Sequence, residues 1–464
     1  MNHSESYTQF IARKLRFQAG DGLNVPLRDY GLFPHQKDLV QWALRRGRSA
    51  IFADTGLGKS RMQVAWADTV ARETGRDVLI LAPLAVAEQT VEEGASIGVQ
   101  VTHARDGADI RPGVNITNYA RLHRFDTSRF VGVVLDESSV IKHHNSKTLA
   151  MLLDAFEQTP FKLCATATPA PNDWTELGTH AQFLGVRTQA EMLAEFFVHD
   201  GGDTQTWRIK GHAKHLFWRW VASWGALLRS PADLGHDASR YQLPPLNVTQ
   251  HTVKGGLQAA EGMLFALEAS SLSERREARK ASLQSRVAAC AELVNSDPQT
   301  WIVWCDLNDE ADALRVAIPG AVEIRGSDDD EDKERRLHDF ACGKIRVLIT
   351  KPKIAGFGLN WQHCARMAFV GVTDSFEAYY QAVRRCWRFG QTRPVDVHVF
   401  ASEHEGAIVA NLARKEADAR AMAESLSAET LDAVRAEVLG YTRESNEYTP
   451  ARSLVLPNFL KVAA

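Results

Sequence analysis

The sequence predicts an α/β protein of two lobes, each a parallel sheet flanked by helices, with a short helical insertion between them. Short β-rich apolar runs alternate with helical stretches at Ser49–Ala53, Val78–Ala82, Val114–Thr117, Val131–Asp136 and Phe161–Thr166. A second series follows at Trp301–Cys305, Ala321–Ile324, Val347–Ile349, Met367–Val370 and Val395–Phe400. Strands this apolar must be covered on both faces, the condition of a parallel sheet built from βαβ units. From about Leu184 to Pro245 the strand rhythm stops and aromatics gather. Leu243-Pro244-Pro245 closes that stretch, because consecutive prolines continue neither a helix nor a central strand. These breaks divide the chain into an N-terminal extension (1–28), a first lobe (29–184), a helical insertion and linker (185–246), a second lobe (247–425) and a C-terminal tail (426–464).

Length and composition agree with this division. The chain has 464 residues, enough for two to four domains at roughly 100–200 residues each. With 45% hydrophobic and 24% charged residues it is neither fibrous nor wholly disordered. The net charge is −3, so a polyanionic partner must be met by a local basic surface. The six cysteines show no CxxC pair and no zinc-ligand spacing, which predicts free thiols, a reducing compartment and no structural zinc. The longest apolar run, Val78 to Ala87, is about half of the ~20 residues that a membrane helix needs. The expected setting is cytoplasmic, with no membrane partner.

Two segments carry chemistry. Ala53-Asp54-Thr55-Gly56-Leu57-Gly58-Lys59-Ser60 follows an apolar strand and opens a helical stretch, the context that a phosphate-binding loop requires. Its glycines let backbone N–H groups of Thr55, Gly56, Leu57 and Gly58 curl round phosphates. Lys59 supplies a point charge to those oxygens, and the Ser60 hydroxyl suits Mg²⁺. Val133-Val134-Leu135-Asp136-Glu137 ends a second apolar strand in adjacent carboxylates. There Asp136 can hold Mg²⁺ and Glu137 can polarise the water that attacks a γ-phosphate.

With further segments, the chain resembles a superfamily-two helicase-type motor of DEAD/DEAH-box kind, and most its Swi/Snf branch. Leu32-Phe33-Pro34-His35-Gln36 resembles the adenine-reading segment, with Gln36 in the glutamine position. Leu79–Pro83 with Leu84, Ile116-Thr117-Asn118-Tyr119 and Thr166-Ala167-Thr168-Pro169-Ala170-Pro171-Asn172 resemble first-lobe motifs. In the second half the similar segments are Gly326 through Phe340, Gly356-Phe357-Gly358-Leu359-Asn360 and Gln381-Ala382-Val383-Arg384-Arg385-Cys386-Trp387-Arg388-Phe389-Gly390-Gln391. The resemblance runs from about residue 30 to 400. It implies two RecA-like lobes, ATP and Mg²⁺ as cofactors, and double-stranded DNA as the partner. It departs from the family at Ser138 and Ser139, and at Thr350-Lys351-Pro352-Lys353.

The last segment has its own physics. On a helix, Gln381, Arg385 and Arg388 fall four and three residues apart, so both guanidinium groups can reach one target. Planar permanent cations suit a γ-phosphate whose charge spreads during transfer, and from the second lobe they require the lobes to close. Backbone donors near Pro83, Asn118, Thr350 and Gly356, with Thr166 and Asn360 of the matched motifs, are the candidates for gripping a phosphate track. The expected activity is ATP-driven movement along duplex DNA. A strand-separating DNA or RNA helicase and a nucleotide-switched DNA clamp are the alternatives.

Elsewhere the plainer reading prevails. Phe217, Trp220, Val221, Trp224 and Leu228 have the spacing of a buried helix face. Asp328–Asp332 reads as a helix N-terminus after Ser327, where acidic groups oppose the dipole.

Overall fold

The computed structural model describes residues 22–170, 173–200, 203–254, 279–355, 360–371, 376–403, 414, 431–432 and 434–439. Among them the first lobe is a parallel sheet in the order β3-β4-β2-β5-β6-β1-β9, made of β1 (Arg48–Ala53), β2 (Val78–Ala82), β3 (Val101–His103), β4 (Val114–Asn118), β5 (Gly132–Asp136), β6 (Phe161–Thr166) and β9 (Gly225–Leu228). Helices α1 (Pro34–Arg46), α2 (Lys59–Thr74), α3 (Ala87–Ser96), α4 (Lys147–Ala155), α5 (Leu177–Leu184), α6 (Gln189–Phe196) and α7 (Lys214–Ala222) flank it. Every residue of β2, β5 and β6 is buried, so both faces are covered. Alternate residues feed two separate cores: Ile51 and Ala53 join one, Ala50 and Phe52 the other.

The second lobe is another parallel sheet, β10-β15-β14-β11-β13-β12. Its strands are β10 (Leu246–Val253), β11 (Trp301–Trp304), β12 (Val322–Glu323), β13 (Val347–Thr350), β14 (Arg366–Phe369) and β15 (Val395–Ser402). Its helices are α8 (Leu283–Ser296), α9 (Asn308–Ala317), α10 (Asp330–Ala341), α11 (Pro352–Ala355) and α12 (Phe376–Val383). Asp329 caps α10, its side chain accepting from the Glu331 N–H, so the acidic run does open a helix. Arg286 of α8 holds this lobe together from inside, donating to Glu310 at 2.8 Å with both side chains almost wholly enclosed. The same guanidinium donates to the Val370 carbonyl beyond β14.

The stretch 185–246 differs from the helical insertion expected of it. β7 (Phe197–Asp200) and β8 (Asp203–Ile209) form an antiparallel pair, and β9 adds to the first sheet beside β1. The aromatic spacing therefore spans two elements: Phe217 and Val221 sit on α7, whereas Trp224 lies just beyond its end and Leu228 ends β9. All four are buried core residues. Far along the chain, 434–439 is helical and lies against the first lobe, with Val434 and Val438 in its core. Glu437 pairs with Arg46, and Arg435 donates to the carbonyls of Asp233 and Ala232. Residues 1–21 and 442–464 lie outside the described residues.

Candidate active site

β1 delivers the chain to Ala53, and the loop beyond it turns on Gly56 at φ 93° and Gly58 at φ 82°. Glycine takes these angles at no steric cost. Both positions are also crowded: a Cβ on Gly56 would meet Phe389 at 2.9 Å, and one on Gly58 the Gln36 amide nitrogen at 2.1 Å. α2 begins at Lys59, directly after the loop, so the unpaired N–H groups of a helix start face it. The Lys59 ammonium donates to the carbonyls of Ala53 at 2.8 Å and Asp54 at 3.4 Å. Burial lowers its pKa, the charges of Glu137, Asp54 and Asp136 oppose that shift, and Arg388 adds to it. Gln36 is buried beneath the loop, donating to the Leu57 carbonyl at 2.9 Å and accepting from the Phe33 N–H at 3.1 Å.

Strands β5, β6 and β1 lie side by side, with Asp136 opposite Ala165 and Phe52 opposite Thr166. Their carboxyl ends therefore open along one edge, where ligands of open α/β sheets bind. The Asp136 carboxylate accepts from the Gln63 amide at 2.6 Å, and its carbonyl accepts from the Tyr119 hydroxyl at 2.7 Å. Burial, then the neighbouring Glu137 charge, pushes the Asp136 carboxyl up to about 6. Glu137 has φ 49° and is the one non-glycine residue with positive φ among the described residues. A left-handed non-glycine residue costs of order 1–3 kcal/mol and is retained where surrounding structure enforces it, often at functional sites. Thr166 donates to Glu137 Oε2 at 3.4 Å and accepts from the Thr168 N–H at 3.2 Å. Ser138 Oγ lies 3.1 Å from His180 Nε2 on α5, and burial presses that imidazole down to about 4.

The second lobe meets this edge through the segment after α12. Arg385 and Arg388 were expected on one helical face, but α12 ends at Val383 and the chain continues as tight turns. The Gln391 amide pins those turns, donating to the carbonyls of Gln362, Cys364 and Cys386 at 2.9, 3.1 and 3.3 Å. Arg385 Nε donates to the carbonyl of Gln381, itself buried at the end of α12. Burial lowers Arg385, against the pull of Glu137. Arg388 falls to about 10, through burial and then the charge of Arg385, opposed by Glu93 and then by Glu137.

Several residues here were not singled out in the sequence. Arg384 Nη2 lies 3.3 Å from Asp54 Oδ2, and the Tyr380 hydroxyl donates to Asp54 Oδ1 at 3.3 Å. Phe389 stacks on Tyr241 with ring centroids 4.6 Å apart, and Phe33 and His35 pack edge-on around them. Arg384 and Phe389 lie within a matched motif. Tyr119 ends the motif Ile116-Thr117-Asn118-Tyr119, whereas Tyr241, Gln63 and His180 had no signal, and their roles arise from packing.

The candidates for a nucleic-acid track are less uniform than their motifs suggest. Thr350 is buried and its hydroxyl donates to the Ile324 carbonyl at 3.2 Å. Asn118 is buried and caps a short turn by accepting from the Arg121 N–H at 3.0 Å. Thr166 belongs to the Glu137 cluster. Pro83 starts the turn Leu84–Val86 on the rim of the first lobe. Asn360 Oδ1 is buried with no partner among the described residues. Gly356, Pro171 and Asn172 lie outside them.

Residues 285–390 match the helicase conserved C-terminal domain family. That segment is helicase-like. A stretch of 98 residues, 21% of the chain, is 31% identical to the bifunctional helicase and thymine dioxygenase JBP2 of Leishmania braziliensis. The chain spans 9% of that relative's length. The SWI2/SNF2 ATPase core of Sulfolobus solfataricus, solved in complex with dsDNA, is similar at 18% identity with a TM-score of 0.40, over 91% of this chain and 99% of that one. The helicase match runs from within α8 to Gly390, so the Arg384–Asp54 and Phe389–Gly56 contacts join the matched segment to the Ala53–Ser60 loop of the other lobe. Among the described residues no helix is long and apolar enough to cross a membrane.

Proposed function

We propose that this helicase-like chain is an ATP-driven motor of the Swi/Snf branch that moves along double-stranded DNA. The observation that carries it is the packing of the Gln381–Gln391 segment of the second lobe, which holds Arg385 and Arg388, against the Ala53–Ser60 loop of the first, through Arg384 at 3.3 Å from Asp54 and Phe389 against Gly56. The donor set fits a Mg²⁺ nucleoside triphosphate. Ser60 and Asp136 are the hard oxygen ligands that Mg²⁺ prefers, and the glycine turns of the loop leave backbone N–H groups with no Cβ in the way. Ser60 and Asp136 would hold Mg²⁺, which would supply positive charge against that developing on the phosphates.

The chain's own groups do the rest. Lys59 exchanges the carbonyls of Ala53 and Asp54 for the β- and γ-phosphate oxygens. Glu137, held in its left-handed turn by Thr166, takes the proton from the attacking water. Arg385 and Arg388 stabilise charge on the transferring phosphoryl group, a contribution of ~10³–10⁵ in rate for cations supplied this way. Gln36 and the ring cluster of Phe33, Tyr241 and Phe389 receive the base. Because the cations and the acceptor sit on different lobes, binding favours apposition and product release favours parting. The rim around Pro83 and Asn118 then holds the DNA backbone without reading its sequence.

The test compares ATP turnover with duplex DNA, single-stranded DNA and RNA, together with triplex displacement and forked-duplex unwinding. Duplex stimulation with triplex displacement and intact forks is the expected result. Unwinding without triplex displacement overturns duplex translocation in favour of strand separation. ATP-dependent DNA retention with negligible phosphate release overturns a motor in favour of a clamp.

A further inference from the structure

Away from the nucleotide edge, a second group of chemically apt side chains spans the two lobes. Glu88 on α3 and His103 on β3 belong to the first lobe, and Glu334 on α10 to the second. One ligand atom from each lies within 4.8 Å of the others. His103 Nδ1 is 2.9 Å from Glu88 Oε1, and the imidazole is only 12% exposed while the Glu88 carboxylate is half open to solvent. Glu334 Oε1 is fully buried and has no hydrogen-bond partner among the described residues. A buried carboxylate oxygen left unpaired is costly, and a cation is one of the few groups that satisfies it.

From this placement we infer a divalent-metal site, of the zinc class, that fastens α10 of the second lobe to α3 and β3 of the first. Imidazole nitrogen and carboxylate oxygen are donors that Zn²⁺ accepts, and three protein ligands leave the fourth tetrahedral position for water. Metal–ligand bonds of about 2.0–2.2 Å put ligand atoms roughly 3.4 Å apart, so the cluster closes on an ion by side-chain rotation alone. The exposed face of Glu88 gives the ion its entry path. No spacing motif announces such a site, because its ligands come from three elements and two lobes.

The surroundings set its energetics. Arg105 pairs with Glu331 on the same helix as Glu334, and Arg121 pairs with Asp330 at 3.2 Å through Nη2 while its Nη1 is buried without a partner among the described residues. A dication would replace repulsion between Glu88 and Glu334 with two bonds. Because the ligands are divided between lobes, affinity for metal and the apposed arrangement are linked: each strengthens the other by the same factor.

The test titrates the nucleotide-free full-length chain with Zn²⁺ by calorimetry and with Co²⁺ by absorption. One equivalent binds, the Co²⁺ spectrum lacks a thiolate band, and Cys342→Ser, which removes the exposed thiol, changes nothing. His103→Ala and Glu334→Gln each weaken binding tenfold or more. In a double-labelled protein, Zn²⁺ narrows the interlobe distance distribution in wild type and not in Glu334→Gln. Absence of binding overturns the inference, as it would if Glu334 pairs instead with the buried, unpartnered Nη1 of Arg121. Binding that survives both substitutions overturns it equally.

Discussion

Arg384 of the second lobe lies 3.3 Å from Asp54 in the Ala53–Ser60 loop of the first, and its guanidinium lies over the rings of Tyr380 and Trp387 at 5.0 and 4.7 Å. The pair sits where β1 gives way to the loop, so it reports lobe apposition there. Partly exposed ion pairs contribute little by themselves, about 0.2–1 kcal/mol. Asp54→Ala and Arg384→Ala should therefore each lower kcat/KM for ATP several-fold. A double-mutant cycle should give a coupling of about 0.5–1.5 kcal/mol. Strict additivity would mean that the contact does not persist in the working enzyme.

The strained backbone of Glu137 and its Thr166 contact predict a division of labour. Glu137→Gln should keep nucleotide binding while turnover falls about 10²–10⁴-fold, the range expected for loss of a positioned base. Thr166→Val removes the hydroxyl that orients the carboxylate and should cost less, mainly in kcat. Full turnover in Glu137→Gln would remove that residue from the base role.

Asp136 couples function to pH. Its carboxyl is pushed up to about 6 by burial and by Glu137, whereas an exposed Asp titrates near 4. Between those values the folded state binds more protons than the unfolded one, so this group's contribution to stability falls as pH rises from about 4 to about 6. Mg²⁺ needs the ionised form, so metal-dependent turnover should move the opposite way and rise through about pH 6. Asp136→Asn, which keeps an acceptor for Gln63, should melt higher than wild type at pH 8 and hydrolyse no ATP. Thermal melts and ATPase profiles from pH 5 to 8 check both halves.

Arg286 is the structural counterpart. Its partner Glu310 also accepts from the N–H groups of Asp306 and Leu307 at 2.9 and 3.0 Å, fixing the start of α9. Arg286→Ala leaves an enclosed carboxylate without its cation and should destabilise the second lobe by about 3–5 kcal/mol. Arg286→Met with Glu310→Gln should recover much of that loss in chemical denaturation.

What the sequence made legible follows from what each element buries. β1, β2, β5, β6, β11 and β13 are enclosed on both faces, so their residues form continuous apolar runs and were read within a residue or two. β10 was missed because it is an edge strand whose residues are mostly exposed and polar, paired only to β15. β9 was missed because Gly225–Leu228 is short and follows an aromatic helix. The strand, glycine turn and helix around Ala53–Ser60 and the strand end at Asp136 were legible because local chain geometry makes them. The turn carrying Arg385 and Arg388 was misread as helix, since the Gln391 anchor that ends the helix acts through contacts with Gln362 and Cys364. The Asp54–Arg384 pair and the ring cluster depend on how two lobes meet, which no local pattern encodes.

Gln36 separates two tasks that its position combines. Its carbonyl oxygen accepts from the Phe33 N–H and so caps α1, while its amide donates to the Leu57 carbonyl and holds the phosphate loop. Reading adenine requires the side chain to offer a donor and an acceptor to the base, at the expense of one of these bonds. Gln36→Glu keeps the acceptor for Phe33 and loses the donor, whereas Gln36→Ala loses both. If the amide serves only the loop, the two variants should differ in thermal stability and share the wild-type preference for ATP over GTP. If it reads the base, both should lose that preference, with KM for ATP rising roughly tenfold, about 1.4 kcal/mol. The second outcome is expected, because the Phe33, Tyr241 and Phe389 rings already crowd the same side of the loop. Steady-state kinetics with both nucleotides decides between them.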